Sequence, residues 1–556
     1  MPRTIDARRS DLRSRFATWQ PRTLDAWLDV CATAYGDRPF VITDDATCSY
    51  ADVARESQRL ADGLAALGVG PGSRVGLLMA NYPEFVPLKF AIARTGAVAI
   101  PFNYLYRAEE LGYVLEQSGC SVLITMTKFM DLDYLAMLDE VAPTRLEHVV
   151  QLATDAPVRE GALDVAGLAA LGDAYPGASS GADHLPTDVG DMLYTSGSTG
   201  SPKGVLVTHD AVLRTAYASA LTRAYDDGRR VLFSLPCYHM FGYVEGLLSV
   251  MYVGGAVIPQ TTFSAAGYLA GIERHRAHDI LCVPTMAVAL VESPARLTTD
   301  LSSLDAILCG SAPAPVWLWE QVEKDFGVSE IVTGYGMTEC GGAMTLTLPE
   351  DPLVLTSTTV GRPKLAGSAG VDGTDALVVY GTADPESGEV LPDGQVGELF
   401  STGPTTMLGF YAKPQETALA LRGNRLYSGD LGRVRPDGYL ELTGRSKELY
   451  KSGGELVMPK EIEEILAGHP GVSQVFAIGL VDDRWGEIGC AVIVRAPGSQ
   501  LDEDDVIAFC KDRLARFKVP RRVVFLDAEE LPTTATGKVQ KFKLVDLVSS
   551  VTEGTR

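Results

Sequence analysis

Apolar residues recur along this chain with two different spacings. Residues 24–34 and 50–67 carry them at every third or fourth position, which predicts two helices. Short apolar runs follow, the first of them at residues 75–80, and these predict buried strands. Strand and helix then alternate to residue 125 and again from residue 230 to residue 333. This alternation predicts βαβ units, a largely parallel sheet and ligand sites at the carboxyl ends of the strands.

The other elements of the alternating region follow the same rule. Two more helices are predicted over residues 82–95 and 109–119. More strands are predicted at residues 98–101, 121–125, 230–234, 256–258, 280–283, 306–308 and 330–333.

Two stretches lack the alternation, and we predict that both are irregular. Residues 1–20 are charged and show no hydrophobic period, which predicts a short surface lead-in. Residues 155–188 are rich in Ala, Gly, Asp and Pro, which predicts a surface connection.

The pattern changes after about residue 355. Frequent glycines and short alternating runs, such as residues 397–401, predict an antiparallel subdomain. From about residue 444 a last unit has its own helix at 460–467 and strands near 475–478 and 491–494. The predicted fold class is α/β: a large N-terminal domain of layered βα sheets with an antiparallel subdomain, and a small α+β C-terminal domain.

Size and charge restrict the possible classes of protein. A chain of 556 residues is too long for one ordinary core, so two or more domains are expected. The net charge of −23 disfavours nucleic-acid and anionic-membrane partners, because those need a basic face. Residues 445–556 carry a net charge of only −2, which is compatible with a polyanionic ligand approaching that part.

Cysteine usage and hydropathy predict a compartment. The nine cysteines include no Cys-x-x-Cys pair, which predicts a reducing environment and no zinc framework. The N-terminal residues lack the apolar core of a secretory signal. The longest apolar run, at residues 246–259, is shorter than the roughly 18 residues of a membrane span. We therefore predict a soluble, cytoplasmic protein.

A stretch dense in glycine and small hydroxyl residues lies at residues 192–205. Its hydroxyl groups and open backbone N–H groups suit a phosphate, and Lys203 adds a positive charge. The spacing differs from that of a Walker loop and of a nucleophile elbow. A flexible Ser/Gly linker is the alternative; it is disfavoured because a Pro-Lys-Gly run and a strand-like segment at 204–208 follow directly. The predicted phosphate-binding residues are Thr195, Ser196, Gly197, Ser198, Thr199, Gly200 and Lys203.

Two further candidate stretches follow predicted strands, and the first is a tight turn of small residues. Residues 310–313 offer backbone against which a planar ring can lie, and Gly310, Ser311 and Ala312 are the candidates. Residues 236–242 place His239 among aromatic residues. A ring-stacked histidine of the core is the alternative for His239.

An aromatic residue between two glycines follows the next strand. Tyr335 lies between Gly334 and Gly336 and offers a stacking face. Thr338 and Glu339 come directly after and offer hard oxygen ligands to Mg²⁺. A plain βα turn is the alternative for the Gly-Tyr-Gly run.

Three later stretches carry charged candidates. Asp430 precedes a hairpin signal at residues 437–438, and its carboxylate can accept hydrogen bonds from both hydroxyl groups of a ribose. A turn aspartate without such a role is the alternative. Residues 443–455 hold several charged side chains and a Gly-Gly pair, in a run that is commonly only solvated surface. Lys538 ends the run 531–538, and a lone lysine near the end of a chain is commonly a surface residue.

In their order and number these stretches resemble the motifs of the AMP-forming adenylating superfamily, which includes acyl-CoA synthetases, luciferases and peptide-synthetase adenylation domains. The resemblance extends over nearly the whole chain. It implies an N-terminal adenylation domain at 1–442, a hinge at 443–447 and a mobile lid domain at 448–556. One departure is Thr533, where relatives often carry a basic residue.

The resemblance also implies residue roles. The matching aromatic residue, Tyr335, stacks on adenine, and Asp430 binds the ribose. The implied contacts to ATP are Thr195, Ser196, Gly197, Ser198, Thr199, Gly200, Lys203, Gly310, Ser311, Ala312, Gly334, Tyr335, Gly336, Thr338, Asp430, Arg445 and Lys538. The implied catalytic residues are Lys538, Thr338, Glu339 and His239; the metal ligands are Glu339 and Thr195; the hinge is Lys447; and the CoA passage is formed by Ser452, Gly453 and Gly454.

The implied reaction has two steps and uses ATP, Mg²⁺ and CoA. A carboxylate attacks the α-phosphorus of ATP and releases pyrophosphate, and the acyl-adenylate then passes its acyl group to CoA. One alternative keeps adenylation but uses a carrier-protein thiol, an amine or nitrite as acceptor, as in adenylating diazotases. Another is a nucleotide-binding regulatory protein without catalysis, which the presence of Lys538, Glu339 and Asp430 disfavours.

The acid pocket is expected to consist mostly of apolar or small residues. This composition predicts a bulky, apolar acid, aliphatic or aromatic. The lining segments are 238–244, 283–287, Ser311, 334–337 and Gly341–Gly342.

Overall fold

A computed structural model describes residues 3–195, 202–311, 314–385, 387–445, 448–452, 455–482, 486–511, 513–514, 516–534 and 539–553. The chain separates into two compact units. Unit 1 comprises Met1–Val379 and Ser401–Leu426, and unit 2 comprises Tyr380–Phe400 and Tyr427–Arg556. The domain boundaries at residues 442 and 448 remain predictions.

The α-helices, in chain order, are α1 (Ile5–Arg15), α2 (Leu24–Tyr35), α3 (Tyr50–Ala66), α4 (Phe85–Arg94), α5 (Ala108–Ser118), α6 (Tyr134–Val141), α7 (Val165–Ala174), α8 (His209–Thr222), α9 (Ala265–His275), α10 (Pro284–Glu292), α11 (Val316–Phe326), α12 (Leu353–Thr358), α13 (Pro414–Ala420), α14 (Pro459–Ala467), α15 (Glu503–Lys511) and α16 (Lys541–Glu553). A π-helix covers Phe241–Leu248, and 3₁₀ turns cover Ser249–Val253, Pro294–Leu297, Thr338–Cys340, Gly367–Ala369 and Ala528–Glu530.

The strands, in chain order, are β1 (Pro39–Ile42), β2 (Thr47–Ser49), β3 (Arg74–Leu78), β4 (Val98–Pro101), β5 (Val122–Met126), β6 (Lys128–Phe129), β7 (Leu132–Asp133), β8 (His148–Leu152), β9 (Leu163–Asp164), β10 (Val189–Thr195), β11 (Lys203–Thr208), β12 (Arg230–Phe233), β13 (Ala256–Pro259), β14 (Asp279–Cys282), β15 (Ala306–Cys309), β16 (Glu330–Val332), β17 (Gly334–Met337), β18 (Gly342–Leu346), β19 (Arg362–Pro363), β20 (Val379–Ala383), β21 (Gly397–Thr402), β22 (Gly409–Phe410), β23 (Leu421–Arg422), β24 (Arg425–Val434), β25 (Leu440–Arg445), β26 (Tyr450–Ser452), β27 (Glu455–Val457), β28 (Val472–Asp482), β29 (Gly486–Arg495) and β30 (Arg522–Phe525).

Two large sheets organise unit 1. One has the strand order β16-β15-β14-β12-β13-β1-β2, and every neighbouring pair except β1 with β2 is parallel. The other has the order β22-β11-β10-β4-β3-β5-β8-β9 and is parallel from β10 to β9. Strands buried on both faces read as continuous apolar runs, as β5 and β14 do. The predicted α/β class is confirmed.

The N-terminal segment differs from the prediction of a surface lead-in. It forms helix α1, whose Arg8 and Arg9 are buried. Arg8 is ion-paired with Glu330 and Arg9 with Glu350. The carboxylates that neutralise these two charges lie more than three hundred residues away along the chain. The local sequence pattern, which shows no hydrophobic period here, therefore gave no sign of the helix.

The connection at 155–188 also differs from its prediction, because it contains β9 and α7. Helix α7 packs closely on α3: a Cβ on Gly172 would overlap the carbonyl oxygen of Arg59, and one on Gly63 would overlap that of Leu168. The small residues that suggest a loop are therefore what allows the two helix backbones to approach.

Unit 2 contains a sheet with the order β27-β26-β29-β28 and with β30 paired to β29. The long β28–β29 hairpin has apolar side chains on both faces. Ala477 and Ile493 belong to a cluster with Ile462 of α14 and Val506 of α15. The neighbouring positions, such as Val492, pack in a second cluster that includes residues of α16. The alternation of side chains along a strand explains this two-sided core.

Two further observations concern the whole chain. Among the described residues, no helix is long and apolar enough to cross a membrane. All nine cysteines are free thiols; eight of them are buried, and Cys48 is half-buried.

Candidate active site

The strands β10 and β11 place the predicted phosphate loop. They form an antiparallel hairpin in which Thr195 pairs with Lys203, so the loop closes the end of two paired strands. This pairing of the flanking strands disfavours the linker alternative. The Nζ atom of Lys203 lies 5.2 Å from the ring centre of Phe410. Ser196, Gly197, Ser198, Thr199 and Gly200 lie outside the described residues.

His239 lies at the start of the π-helix Phe241–Leu248. Its Nδ1 accepts a hydrogen bond from the backbone N–H of Phe241 at 3.2 Å, and its carbonyl oxygen accepts one from Tyr243 at 3.0 Å. The side chain is half-buried. π-helical turns are rare and are found frequently at functional sites.

Gly310 follows β15 and faces this π-helix. A Cβ on Gly310 would lie 3.3 Å from the ring of Phe241 and 3.9 Å from the carbonyl oxygen of Gly334. Ser311 has a φ of 74°, in the left-handed region that non-glycine residues rarely adopt. Such strain is commonly stored at functional sites. Ala312 lies outside the described residues.

The Gly334-Tyr335-Gly336 run forms strand β17, so the alternative of a plain βα turn is wrong. β17 pairs antiparallel with β18, and a Cβ on Gly336 would overlap the carbonyl oxygen of Gly342. The two strands thus approach more closely than side chains would permit.

A 3₁₀ turn after β17 carries the predicted metal ligand. Thr338 is buried and Glu339 is half-buried, and the carbonyl oxygen of Glu339 accepts a hydrogen bond from Met407 at 2.8 Å. Mg²⁺ is commonly bound by one or two carboxylates together with substrate phosphates and waters. The Glu339 carboxylate next to the Thr338 hydroxyl is a donor set of the kind that suits such a site.

The turn between β17 and β18 lies against the π-helix. The position of a Cβ on Gly342 is 3.8 Å from Met240 and 3.8 Å from Val244. Within unit 1 the π-helix therefore borders both Gly310 and the β17–β18 hairpin. Three separated predicted stretches meet around one helix start.

Two buried cysteines lie close in sequence to this region. Burial raises the pKa of Cys237 and of Cys309 above the usual range. Neither thiol is therefore ionised near neutral pH, which argues against a thiolate nucleophile at these positions.

In unit 2, Asp430 is buried on β24 and its backbone pairs with that of Arg445 on β25. Its N–H donates to Oγ of Ser428 at 3.0 Å. The turn at residues 437–438 joins the two strands, as the hairpin signal predicted. The side chain of Arg445 lies outside the described residues, as does Lys447.

Two loops of unit 2 carry the last candidates. Ser452 is buried and pairs with Glu455, so a two-residue connection at Gly453 and Gly454 joins β26 to β27. An isolated antiparallel bridge between Thr533 and Val539 closes the loop that contains Lys538. Lys538, Gly453 and Gly454 lie outside the described residues.

The sequence pattern did not indicate the buried charges around the π-helix. Lys89, Asp191, Glu245 and Lys364 are all buried in unit 1. The available signal was weak: Asp191 and Glu245 each stand alone within an apolar run.

Comparisons with known proteins identify the family. Residues 28–411 match the model of the AMP-binding enzyme family, and residues 461–538 match that of the AMP-binding enzyme C-terminal domain. The chain belongs to the AMP-binding enzyme family. The predicted class, an AMP-forming acid–thiol ligase, is confirmed by this match together with the similarity to acyl-CoA ligases.

Individual relatives match over most of their length. One relative is a Mycobacterium tuberculosis CoA ligase for a methyl-dioxo-octahydroindenyl propanoyl group. It is 36% identical to this chain, and the match covers 95% of this chain and 99% of that protein. A feruloyl-CoA synthase of an Amycolatopsis species is 37% identical, and the match covers 89% of this chain and 92% of that protein. The crystal structure of an anthranilate CoA ligase in complex with anthranoyl-AMP superposes with a TM-score of 0.81 at 26% identity, over 96% of this chain and 98% of that one.

Proposed function

We propose that this enzyme joins a bulky, largely apolar carboxylic acid to coenzyme A by way of an acyl-adenylate. The observation that carries the proposal is the meeting of His239, Gly310 and the β17–β18 hairpin around the start of the π-helix. This arrangement brings small and apolar residues together beside glycine backbone, which is the composition that a pocket for an apolar acid and a planar base requires.

The first step brings two anions together. The carboxylate oxygen attacks the α-phosphorus of ATP in line, the bond to the β-phosphate oxygen breaks, and pyrophosphate leaves. Added negative charge spreads over the phosphoryl oxygens, so fixed positive charge and alignment dominate the rate. Glu339 would hold the Mg²⁺ ion that accompanies ATP, and that ion would supply part of the positive charge.

We assign to the residues the roles that the family resemblance implies. The hairpin of β10 and β11 presents Thr195 and Lys203 to the phosphates that leave. Tyr335 stacks on the adenine, and Asp430 accepts hydrogen bonds from the ribose. Lys538 bridges the acid carboxylate and the α-phosphate.

The second step requires that a thiol reach the adenylate. The sulfur of CoA attacks the acyl carbon, and AMP leaves with the electrons of the acyl–oxygen bond. The short connection at Gly453 and Gly454 leaves backbone without side chains beside which the thin pantetheine chain can pass. Lys447 changes conformation between the two steps.

The similarity to CoA ligases favours CoA over a carrier-protein thiol, an amine or nitrite as acceptor. The acyl groups named for the compared proteins, octahydroindenyl propanoyl, feruloyl and anthranoyl, support an acid with considerable bulk. The apolar side chains of Met240 and Val244 beside Gly342 are consistent with an acid that has an apolar body.

A screen of acids by pyrophosphate release tests the proposal. We expect release with bulky apolar acids, and formation of a thioester only when CoA is added. If pyrophosphate is released but the acyl group is then transferred to an amine or to nitrite and not to CoA, CoA is not the acceptor. No pyrophosphate with any acid would favour the regulatory alternative.

A substitution tests the metal site separately. Glu339→Gln is expected to raise the Mg²⁺ concentration needed for half-maximal pyrophosphate release by roughly tenfold, since one anionic ligand is lost. Glu109→Gln, at an exposed glutamate of α5 outside the proposed site, is the control and should leave this concentration unchanged. An unaltered Mg²⁺ requirement for Glu339→Gln would remove Glu339 from the metal site.

A further inference from the structure

One buried carboxylate connects two elements that border the proposed site. Asp191 Oδ1 lies 2.9 Å from Nζ of Lys89, and Asp191 Oδ2 accepts a hydrogen bond from Oη of Tyr243 at 3.1 Å. The side chains of Lys89 and Asp191 are 1% and 0% exposed. Lys89 Nζ also lies 5.1 Å from the ring centre of Tyr243. We call Lys89, Asp191 and Tyr243 the Asp191 triad.

The positions of these residues in the chain relate the triad to both substrates. Asp191 lies on β10, four residues before Thr195, where the phosphate loop begins. Tyr243 lies in the π-helix, four residues after His239, where the acid pocket begins. The triad is thus a direct side-chain bridge between the strand that enters the loop and the helix that leaves the pocket.

Stability alone is a weak reason for such a group. A buried ion pair gains little over apolar residues of similar volume, because desolvation offsets the attraction. What a buried polar group does determine is geometry, since every partner must stay in place to satisfy the others. Burial and the neighbouring Asp191 carboxylate raise the pKa of Tyr243, so the phenol keeps its proton and donates.

A second buried group on the same helix provides a comparison. Glu245 Oε1 lies 2.5 Å from Nζ of Lys364, and Glu245 Oε2 accepts a hydrogen bond from Oγ of Ser219 at 2.7 Å. This group resembles the Asp191 triad in charge and burial, and it begins two residues further along the helix. Its partners Ser219 and Lys364 lie on α8 and directly after β19, and neither lies on β10.

We propose that the Asp191 triad is a positioning unit that holds β10 and the π-helix in register, so that the acid carboxylate and the α-phosphorus are aligned for attack. The inference rests on the proposed function for the identity of the two substrates. Lys89, Asp191 and Tyr243 act through the loop and the pocket, and none of them contacts the reacting atoms.

The test compares two variants that each remove one hydroxyl group bound to a buried carboxylate, that of Asp191 on β10 in one case and that of Glu245 on the π-helix in the other. Tyr243→Phe removes the bond to Asp191 and keeps the ring beside Lys89, and Ser219→Ala removes the bond to Glu245. We expect Tyr243→Phe to lower kcat for pyrophosphate release by roughly tenfold or more, with each KM changed less than about threefold, as for misalignment. Ser219→Ala should change kcat less than about twofold, because its bond does not reach β10.

A paired substitution provides a rescue. Asp191→Asn together with Lys89→Met removes both charges and leaves an amide oxygen that accepts the Tyr243 bond, so kcat should stay above that of Tyr243→Phe. Asp191→Leu together with Lys89→Met should lose kcat as Tyr243→Phe does. Thermal midpoints of all variants are measured to compare folding.

Three outcomes overturn the inference: kcat retained in Tyr243→Phe, an equal kcat loss in Ser219→Ala, or equal kcat losses in the two paired variants. A wild-type enzyme that releases no pyrophosphate with any acid refutes the proposed function instead. The two failures are therefore distinguishable.

Discussion

The ring of Phe241 lies 3.3 Å from the position that a Cβ on Gly310 would occupy. This separation is tighter than ordinary contact, so any side chain at Gly310 must displace the ring at the start of the π-helix. Overpacking of this kind costs about 1–3 kcal/mol.

We predict that Gly310→Ala raises KM for the acid by roughly tenfold while the enzyme stays folded, because the displaced Phe241 ring narrows the proposed acid pocket; a loss of about 1.4 kcal/mol in binding corresponds to a factor of ten. Steady-state pyrophosphate release measures it. Gly336→Ala should be far more damaging, since its Cβ meets the backbone of Gly342. Gly70→Ala is the matched control, because nothing lies within 4 Å of its Cβ position. Equal behaviour of Gly310→Ala and Gly70→Ala would contradict the close approach.

Lys538→Ala is predicted to slow adenylation by ~10²–10³-fold, roughly 3–4 kcal/mol, if the ammonium stabilises the transition state as one oxyanion donor does. ATP–pyrophosphate exchange isolates this half-reaction. Lys543→Ala is the control, since Lys543 is an exposed lysine of α16 that follows the same loop. An undiminished exchange rate in Lys538→Ala removes Lys538 from the role.

Lys447→Pro is predicted to impair thioester formation more than adenylate formation, because proline fixes φ at a position that must change it between the two steps. The two half-reactions are measured separately by ATP–pyrophosphate exchange and by acyl-CoA production. Lys447→Ala removes the side chain but leaves φ free, so it should retain both. Equal losses in both half-reactions of Lys447→Pro would argue against a hinge at this residue.

His209 predicts an acid-sensitive stability. Burial and the neighbouring Lys89 lower the pKa of His209 to about 3, and the ring is 1% exposed. The unfolded chain takes up this proton near its ordinary pKa of 6.5, whereas the folded chain does not. Stability is therefore present above pH 6.5 and falls as the pH drops from there towards 3, by up to about 1.4 kcal/mol per pH unit.

We expect the free energy of unfolding of the wild type to fall between pH 7.5 and 5.5 by about 1.4 kcal/mol more than that of His209→Gln. Urea unfolding followed by tryptophan fluorescence at the two pH values measures this. His184 has the opposite sense, since its bond to Asp25 raises its pKa; that contribution is common to both proteins and cancels in the comparison. Parallel pH dependences of the two proteins would show that His209 does not govern the effect.

The parts of the fold that local patterns determine were predictable. Helices α2 and α3 begin at Leu24 and Tyr50, as their hydrophobic periods indicate, and threonine and serine caps precede them. The strands from β12 to β16 are short apolar runs, and all five lie within two residues of their predicted bounds.

Structure that depends on distant partners was not predictable. The charges of α1 are cancelled by Glu330 and Glu350, which lie far along the chain. Gly172 of α7 is explained only by the backbone of α3, and the extended Gly334–Gly336 run is explained only by its pairing with β18. A local pattern contains none of these partners.

The candidate site likewise contains residues that the sequence motifs indicated and residues that they did not. Motif order indicated the residues around His239, Gly310 and Gly342, and the structure brings them together. Lys447 and Lys538 lie outside the described parts of the chain, so their roles remain predictions. The Asp191 triad required coordinates, because Lys89 and Asp191 are more than a hundred residues apart.

The burial of the cysteines has a practical consequence for measuring the reaction. Cys48 is the only cysteine that is partly exposed, and its partial burial together with nearby carboxylates raises the pKa of its thiol. A disulfide-exchange dye reacts with thiolates, so the native enzyme should contribute at most about one slowly reacting group per chain. Consumption of free coenzyme can therefore be followed colorimetrically against an almost silent protein background.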